Sequence, residues 1–95
     1  MLTSKQRAVL RSMANRIVPI IHVGKNGVNP MLLRQTEDAL KARELIKGTV
    51  QQNAKREAAE VARELAEATG SEVVQVIGRK FVLFRSNPDE SKIEL

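Results

Sequence analysis

A short segment between two predicted elements carries the residues best suited to bind an anion. Gly24 and Gly27 enclose Lys25 and Asn26, and an Asn-Pro pair typical of a helix start follows them. Glycine lets a charged group approach the backbone without interference from a Cβ atom, and the first amides of a helix lack partners within the helix. The segment therefore predicts a site for a phosphate-like anion. The alternative is a plain turn from a strand to a helix, in which the same residue types are ordinary.

The N-terminal third of the chain contains basic residues but no acidic ones. The net charge is +5, from 16 Lys and Arg side chains against 11 Asp and Glu side chains, and the first acidic residue is Glu37. Residues 1–36 therefore carry a charge of +6, and residues 37–95 carry −1. Clustered basic side chains raise the local potential and release counterions from phosphates, which favours a nucleic-acid partner over a surface kept basic for solubility. The six basic residues are Lys5, Arg7, Arg11, Arg16, Lys25 and Arg34.

Other kinds of site find little support in the residue types. The glycines lack the spacing of ATP-binding and NAD-binding loops. His22 is the only histidine and cysteine is absent, which excludes an ordinary zinc site and a disulfide framework. We interpret His22 as a structural residue at the end of a strand, with contact to nucleic acid beside the loop as the minor alternative. No set of residues indicates catalysis, a cofactor, a metal or a small-molecule substrate.

Hydrophobic periodicity predicts three helices that alternate with four strands. A capping box of Thr3 and Gln6, with Ser4 as a rival cap, starts the first helix, and Gly70 ends the third. The first strand is almost continuously apolar, which is typical of a strand covered on both faces. The predicted helices are 4–15, 30–44 and 54–69, and the predicted strands are 17–23, 45–51, 73–77 and 81–84.

One glycine, one basic pair and the carboxylates of the third helix each allow a structural interpretation. Gly48 lies inside the second strand, where glycine indicates a bulge or a close approach of another group. Arg79 and Lys80 follow Gly78 at the connection of the last two strands, and they are either surface charges or a second phosphate contact. The carboxylates of the third helix are interpreted as solvated charges that pair along the helix, as Arg56 would with Glu60.

The order α-β-α-β-α-β-β predicts an α/β (α+β) fold with a mixed four-stranded sheet packed with helices. Phe81 and Phe84 should point to opposite faces of this sheet and join the core, so they cannot form a paired platform for stacking bases. Residues 1–86 are predicted to form one domain, and residues 87–95 a flexible polar tail. The chain has no membrane-spanning run and no signal core, so a cytoplasmic protein is expected. A monomer is expected as well, although no residue pattern indicates the oligomeric state.

Several segments, taken in order, resemble the CRM domain, named for chloroplast RNA splicing and ribosome maturation. They are a basic N-terminal helix, PIIHVGKNGV, a helix that starts at proline, ELIKGTVQQN, an alanine-rich helix and VVQVIGRKFVLFR. The resemblance covers about residues 2–85. Its most specific elements are the GxxG loop and the closing G-R-K-x-x-x-L/F-x-R hairpin. The stand-alone bacterial form of this domain is the YhbY family. Gly48 departs from the pattern, because a larger strand residue is expected there.

The resemblance implies an RNA-binding domain similar in fold to the C-terminal domain of bacterial translation initiation factor three, with an extra N-terminal helix. Bacterial members are associated with precursors of the large ribosomal subunit, which makes ribosomal RNA the expected partner. The alternatives are another RNA target, as for a translation factor or a ribosomal protein, and a protein-binding adaptor that uses the tail or the alanine-rich helix. The GxxG loop, similar to that of KH domains, and the basic surface give the expected RNA-binding residues. They are Gly24, Lys25, Asn26, Gly27, Arg7, Arg11, Arg16, Arg79 and Lys80.

Overall fold

The element order predicted from the sequence is confirmed by a computed structural model, which describes residues 2–89, 93 and 95. Three helices alternate with strands before a closing hairpin, as expected for an α+β domain. The helices are α1 (Ser4–Ala14), α2 (Pro30–Arg43) and α3 (Ala58–Thr69), and the strands are β1 (Ile21–Val23), β2 (Leu45–Val50), β3 (Glu72–Ile77) and β4 (Lys80–Phe84).

The four strands form one mixed sheet in the order β1-β2-β4-β3. β1 pairs with β2 in parallel, whereas β4 pairs antiparallel with both β2 and β3. The carboxyl ends of β1 and β2 therefore lie at the same edge of the sheet as the turn between β3 and β4. The segments that follow β1 and β2 along the chain therefore lie beside that hairpin turn. We name this edge of the sheet the loop edge.

Two hydrophobic clusters cover opposite faces of the sheet. The first cluster lies under α2 and α3 and contains Phe81, whereas the second lies under α1 and contains Phe84. The prediction that the two phenylalanines occupy the core on opposite faces is therefore confirmed. α1 begins with the predicted capping box, because Thr3 Oγ1 accepts the Gln6 N–H at 3.1 Å and the Gln6 side chain accepts the Thr3 N–H.

Gly48 lies against the ring of Phe81. A Cβ atom at position 48 would stand 2.2 Å from Phe81 Cζ, closer than real Cβ atoms approach a neighbour. The predicted close approach is therefore confirmed, and it explains why a larger residue is absent from this strand position. The alternative of a bulge at Gly48 is wrong, because β2 pairs with β4 without interruption and the irregularity lies in β3 between Val73 and Gln75.

The first strand is shorter than predicted and is covered on one face only. β1 begins at Ile21 rather than at residue 17, although the Ile20 N–H already donates to the Lys47 carbonyl at 2.9 Å. His22 is exposed between two buried neighbours, so coverage of both faces is wrong at this position. The preceding residues are apolar for another reason: Ile17 packs on the second cluster and Ile20 on the first, as the chain passes from one face to the other.

The third helix begins four residues later than predicted. Residues 54–57 form a loop in which the Ala54 N–H donates to the Gln51 carbonyl at 3.0 Å, and Glu57 is extended before the helix starts at Ala58. Ala54 packs on the first core cluster from this loop. Because it is apolar and lies four residues before Ala58, it fits the helical pattern in the sequence although it is outside the helix. The predicted end is confirmed, because Gly70 adopts a φ of +68°.

The junction between α2 and β2 holds a buried carboxylate. α2 ends at Arg43, one residue before the predicted end, and Glu44 follows with a φ of +63°. The Glu44 side chain accepts the N–H groups of Asn87 and Ile93, and Ile93 packs on the second cluster. These residues of the C-terminal segment therefore contact the domain. The flexibility of residues 87–95 stays a prediction, and residues 90–92 and 94 lie outside the described part of the chain.

Candidate functional site

The segment Gly24–Gly27 forms a tight turn between β1 and α2. The Gly27 N–H donates to the Gly24 carbonyl at 3.0 Å, and Lys25 and Asn26 are exposed at the tip. Gly27 has a φ of +63°, a backbone conformation that strains other residue types, and a Cβ atom there would meet nothing within 4 Å. The backbone therefore favours glycine at position 27, and the outer side of the turn is open.

The start of α2 offers fewer free amides than the sequence implied. Asn29 caps the helix, with its side chain accepting the Leu32 N–H at 2.8 Å and its carbonyl accepting the Leu33 N–H at 3.0 Å. Pro30 has no N–H group. Among the first four helical residues, only Met31 keeps an amide without an acceptor in the described part of the chain. An anion here would therefore be bound mainly by the turn and its neighbouring side chains, with the Met31 amide as an addition.

A cleft of about 320 Å³ lies beside this turn, at the loop edge of the sheet. Lys25 and His22 line it together with carboxamide side chains from the glycine turn, from the cap and first turns of α2, and from the segment after β2. No carboxylate is among its described lining residues. A carboxamide offers both donors and an acceptor, so the cleft can bind phosphate oxygens, ribose hydroxyls and base edges at once. The carboxamides are Asn26, Asn29, Gln35, Gln51 and Asn53.

Sequence reasoning missed part of this cleft. Gln51 and Asn53 reach the turn because the Gln51 N–H donates to the Val23 carbonyl at 2.8 Å, which continues the parallel pairing of β1 with β2. The Oε1 atom of Gln51 lies 3.1 Å from the Cβ position of Gly24. A signal was present: the predicted strand 45–51 ends in Gln51, and two more polar residues, Gln52 and Asn53, follow it directly. Recognising it required the parallel alignment of the two strands.

The hairpin turn brings Arg79 and Lys80 to the same edge. The Val50 N–H donates to the Arg79 carbonyl at 2.7 Å, which fixes the turn beside the end of β2. Lys80 belongs to β4 rather than to the predicted connection, and it is paired with Thr49, which in turn is paired with His22. Arg79 and Lys80 are both exposed. The structure therefore places these two cations and the glycine turn at one end of the sheet.

The three arginines predicted from the N-terminal segment differ in their surroundings. The Arg7 guanidinium donates to the carbonyls of Val73 and Val74 and lies 3.9 Å from the Glu72 carboxylate, so it holds α1 against β3. Glu72 starts β3, at the end of that strand farthest from the hairpin turn. The structure therefore does not place Arg7 beside the cleft, and a role in RNA binding stays a prediction. Arg11 and Arg16 are exposed, Arg11 within α1 and Arg16 just after it.

Several acidic residues of α2 and α3 are paired with arginines. Arg56 forms ion pairs with Glu60 and Glu64, and the hydrogen bond to Glu60 is the main cause that raises the pKa of Arg56. Arg85 pairs with Glu37, and this hydrogen bond lowers the pKa of the carboxyl group from its ordinary value of 4.5. The interpretation of α3 carboxylates as pairing charges is confirmed for Glu60.

Metal-binding clusters and membrane-spanning helices are absent from residues 2–89, 93 and 95. No group of three acidic or histidine side chains there is arranged to hold a metal ion. None of the helices in those ranges is both long and apolar enough to cross a membrane.

Comparisons with known proteins place this geometry in a family. The family model of the CRS1 / YhbY (CRM) domain matches residues 2–85. A Bacillus subtilis relative named "probable RNA-binding protein YqeI" is 44% identical over 95 residues, covering 100% of this chain and 99% of the relative. A Haemophilus influenzae relative named as an RNA-binding protein is 35% identical over 95 residues, covering 99% of this chain and 94% of the relative.

A solved structure gives the same result for the fold. A Staphylococcus aureus protein, for which RNA binding has been suggested, has a solution structure that matches this one with a TM-score of 0.83. The two sequences are 47% identical, and the match covers 100% of this chain and 99% of the other. The two chains therefore share one overall fold along their whole length.

Proposed function

Because the chain belongs to the CRS1 / YhbY (CRM) domain family, we propose that it is an RNA-binding protein of the bacterial cytoplasm. Its target is ribosomal RNA in precursors of the large subunit, and its role is to assist assembly of that subunit. The observation that carries this proposal is the open cleft at Gly24–Gly27, which is lined by Lys25 and carboxamides and by no described carboxylate. A polyanion meets attraction there and no opposing charge.

In the proposed mode of binding, the turn receives a phosphate of the RNA backbone. The Lys25 ammonium and the free Met31 amide stabilise the phosphate charge, as cations and helix amides do for anions elsewhere. Gln51 and Asn53 then contact the ribose or a base edge. No Phe, Tyr or Trp side chain lines the cleft, so recognition rests on backbone and polar groups, with His22 as the one ring that could stack. The protein acts as a monomer without a cofactor, and no catalytic step is part of this mode.

We expect RNA affinity to fall steeply with salt. About five phosphate contacts would give a log–log slope of roughly −3.5 for a single strand and −4.5 for a duplex, which is a loss of roughly 130- to 500-fold between 50 and 200 mM salt. The expected contacts are Lys25 at the cleft, and Arg11, Arg16, Arg79 and Lys80 outside it, on a longer RNA. Fluorescence anisotropy with a structured ribosomal RNA fragment measures the slope. An affinity that barely changes over this range contradicts the mechanism.

The proposed target is tested by ultraviolet crosslinking in growing cells, followed by gradient separation of ribosomal particles and sequencing of the attached RNA. We expect crosslinks to large-subunit ribosomal RNA in precursor particles, and their loss in a Lys25→Glu strain. Lys41→Glu provides the matched control, because Lys41 is an exposed residue near the end of α2, away from the cleft. Crosslinks confined to mature subunits contradict an assembly role. A protein partner that remains bound after nuclease treatment, without RNA crosslinks, favours the adaptor alternative.

A further inference from the structure

Helix α1 covers only part of the second face of the sheet. Its buried residues Leu10 and Ala14 pack in a cluster with Leu45, Phe84 and Val82, toward the edge away from the cleft. The helix ends at Ala14, and the chain then passes around the sheet to β1. The half of this face nearest the loop edge is therefore left without a covering helix.

One row of paired residues crosses this uncovered half. His22 is paired with Thr49, Thr49 with Lys80, and Lys80 with Ile77, so the row reaches from β1 to β3 across all four strands. Residues directly opposite in a sheet have Cβ atoms about 4.5 to 5.5 Å apart, so their side chains are neighbours. His22, Lys80 and Ile77 are exposed, and Thr49 is half-buried.

A second row lies one step farther from the loop edge. Lys47 is paired with Val82, and Val82 with Gln75, on the same face because residues two apart in a strand point the same way. The Lys47 ammonium donates to the Ile17 carbonyl at 3.4 Å, which leaves two of its three donors available. We name the polar members of the two rows the sheet strip: His22, Lys47, Thr49, Gln75 and Lys80.

The residue types of the sheet strip match an RNA strand better than a protein partner. The strip presents two ammonium groups, a hydroxyl, a carboxamide and an imidazole, and none of its described members or row partners is a carboxylate. Protein-binding sheet faces carry apolar anchors, whereas Ile77 is the one exposed large apolar residue on these rows. Lysines can bind phosphates, and hydroxyl and carboxamide groups can bind ribose or base edges.

Shape gives a second argument. A depression of about 120 Å³ lies between the end of α1 and the strip, lined by Asn15, Lys47, Gln75 and Lys80 among others. It is smaller than the roughly 300 Å³ of typical small-molecule pockets and is open to a phosphate or a sugar. The strip is also continuous with the glycine-turn cleft, because His22 lines that cleft and begins the first row.

We propose that the sheet strip is a second contact surface for single-stranded RNA, which leaves the glycine-turn cleft at His22 and crosses the sheet over Thr49 and Lys80. This inference rests on the proposed function, in that the cleft holds the same strand. Four strands spaced about 4.8 Å apart give the path a length of about 14 Å. The related GxxG loops of KH domains clamp about four nucleotides, so the strip would bind nucleotides beyond those.

The test compares oligouridylates of 4 and 10 nucleotides by fluorescence anisotropy. The double variant Lys47→Gln/Lys80→Gln is expected to lower decamer affinity about tenfold, to leave tetramer affinity within about twofold, and to reduce the decamer salt slope by about 1.4. Lys80→Gln alone is expected to reduce the slope by about 0.7. The single variant Lys80→Gln is included because Lys47 is half-buried and its replacement can disturb the fold, whereas Lys80 is exposed. Circular dichroism checks the fold of each protein.

Lys41→Gln/Arg63→Gln is the charge-matched control, with both positions exposed on α2 and α3 at the opposite side of the sheet. Equal loss in this control, or a decamer affinity unchanged by the strip variant, overturns the inference while leaving the proposed function standing. Lys25→Glu should lower the affinity for both lengths. Tight binding of both lengths by Lys25→Glu refutes the cleft, and a wild-type protein that binds neither RNA refutes the proposed function and the strip with it.

Discussion

Replacement of Lys25 by glutamate is expected to weaken RNA binding roughly 10- to 150-fold while leaving the fold unchanged. Lys25 is exposed at the tip of the glycine turn and lines a cleft without a described carboxylate. The variant removes a charged hydrogen bond to phosphate, which contributes about 1.5 to 3 kcal/mol, and it adds a repulsive charge at the same point. Anisotropy titration with a ribosomal RNA fragment measures the change.

The control for this experiment is Lys41→Glu, which makes the same change of charge near the end of α2. It should reduce affinity far less, since screening weakens charges that lie more than about 8 Å from the bound RNA at physiological salt. Thermal unfolding should give the same midpoint for wild type and Lys25→Glu, because Lys25 has no partner in the fold among the described residues. If a normally folded Lys25→Glu protein binds RNA as the wild type does, the glycine turn is not the site.

Replacement of Gly48 by alanine is expected to lower the free energy of unfolding by about 1 to 3 kcal/mol. Alanine favours a strand over glycine by about 0.5 to 1 kcal/mol, which would stabilise the protein if space were available. Space is absent, because the new Cβ would stand 2.2 Å from Phe81 Cζ and Phe81 is buried in the first core cluster. The steric term therefore exceeds the conformational one, and urea unfolding measures the difference.

A double-mutant cycle identifies the cause of this loss. Phe81→Leu alone should destabilise by leaving a cavity, but Gly48→Ala should cost much less in the Phe81→Leu background, since the ring atoms that it strikes are gone. Gly24→Ala is the matched control for stability, because its Cβ would meet the mobile end of the Gln51 side chain at 3.1 Å. Additive effects of Gly48→Ala and Phe81→Leu would show that the ring is not the obstacle.

Local signals in the sequence predicted the elements well where short-range chemistry decides them. The Thr3–Gln6 capping box, the Asn29-Pro30 start of α2 and the Gly70 end of α3 each depend on contacts within one turn, and each is present in the structure. The glycine turn was predictable for the same reason, since Gly27 supplies a positive φ between a strand and a capped helix.

Tertiary packing decided what the sequence did not reveal. Ile17 and Ile20 read as one apolar strand, yet they serve opposite faces of the sheet, and Ala54 reads as helical although it packs from a loop. Gln51 and Gln35 reach the cleft only because parallel pairing brings β1 and β2 into line with α2. Apolar periodicity reports that a residue is buried, but it does not report which neighbour buries it.

Charge is distributed unevenly between the two sides of the sheet, so the protein can be oriented by the field of an RNA before the two molecules touch. α1 carries three basic side chains and no acidic one, a charge of +3, whereas α2 and α3 together carry −1, from five acidic and four basic side chains. Such a distribution is an electric dipole, and a dipole turns in the field of a polyanion. A protein diffusing past a long negatively charged chain would therefore rotate its first helix, and the face of the sheet that carries the strip, toward that chain.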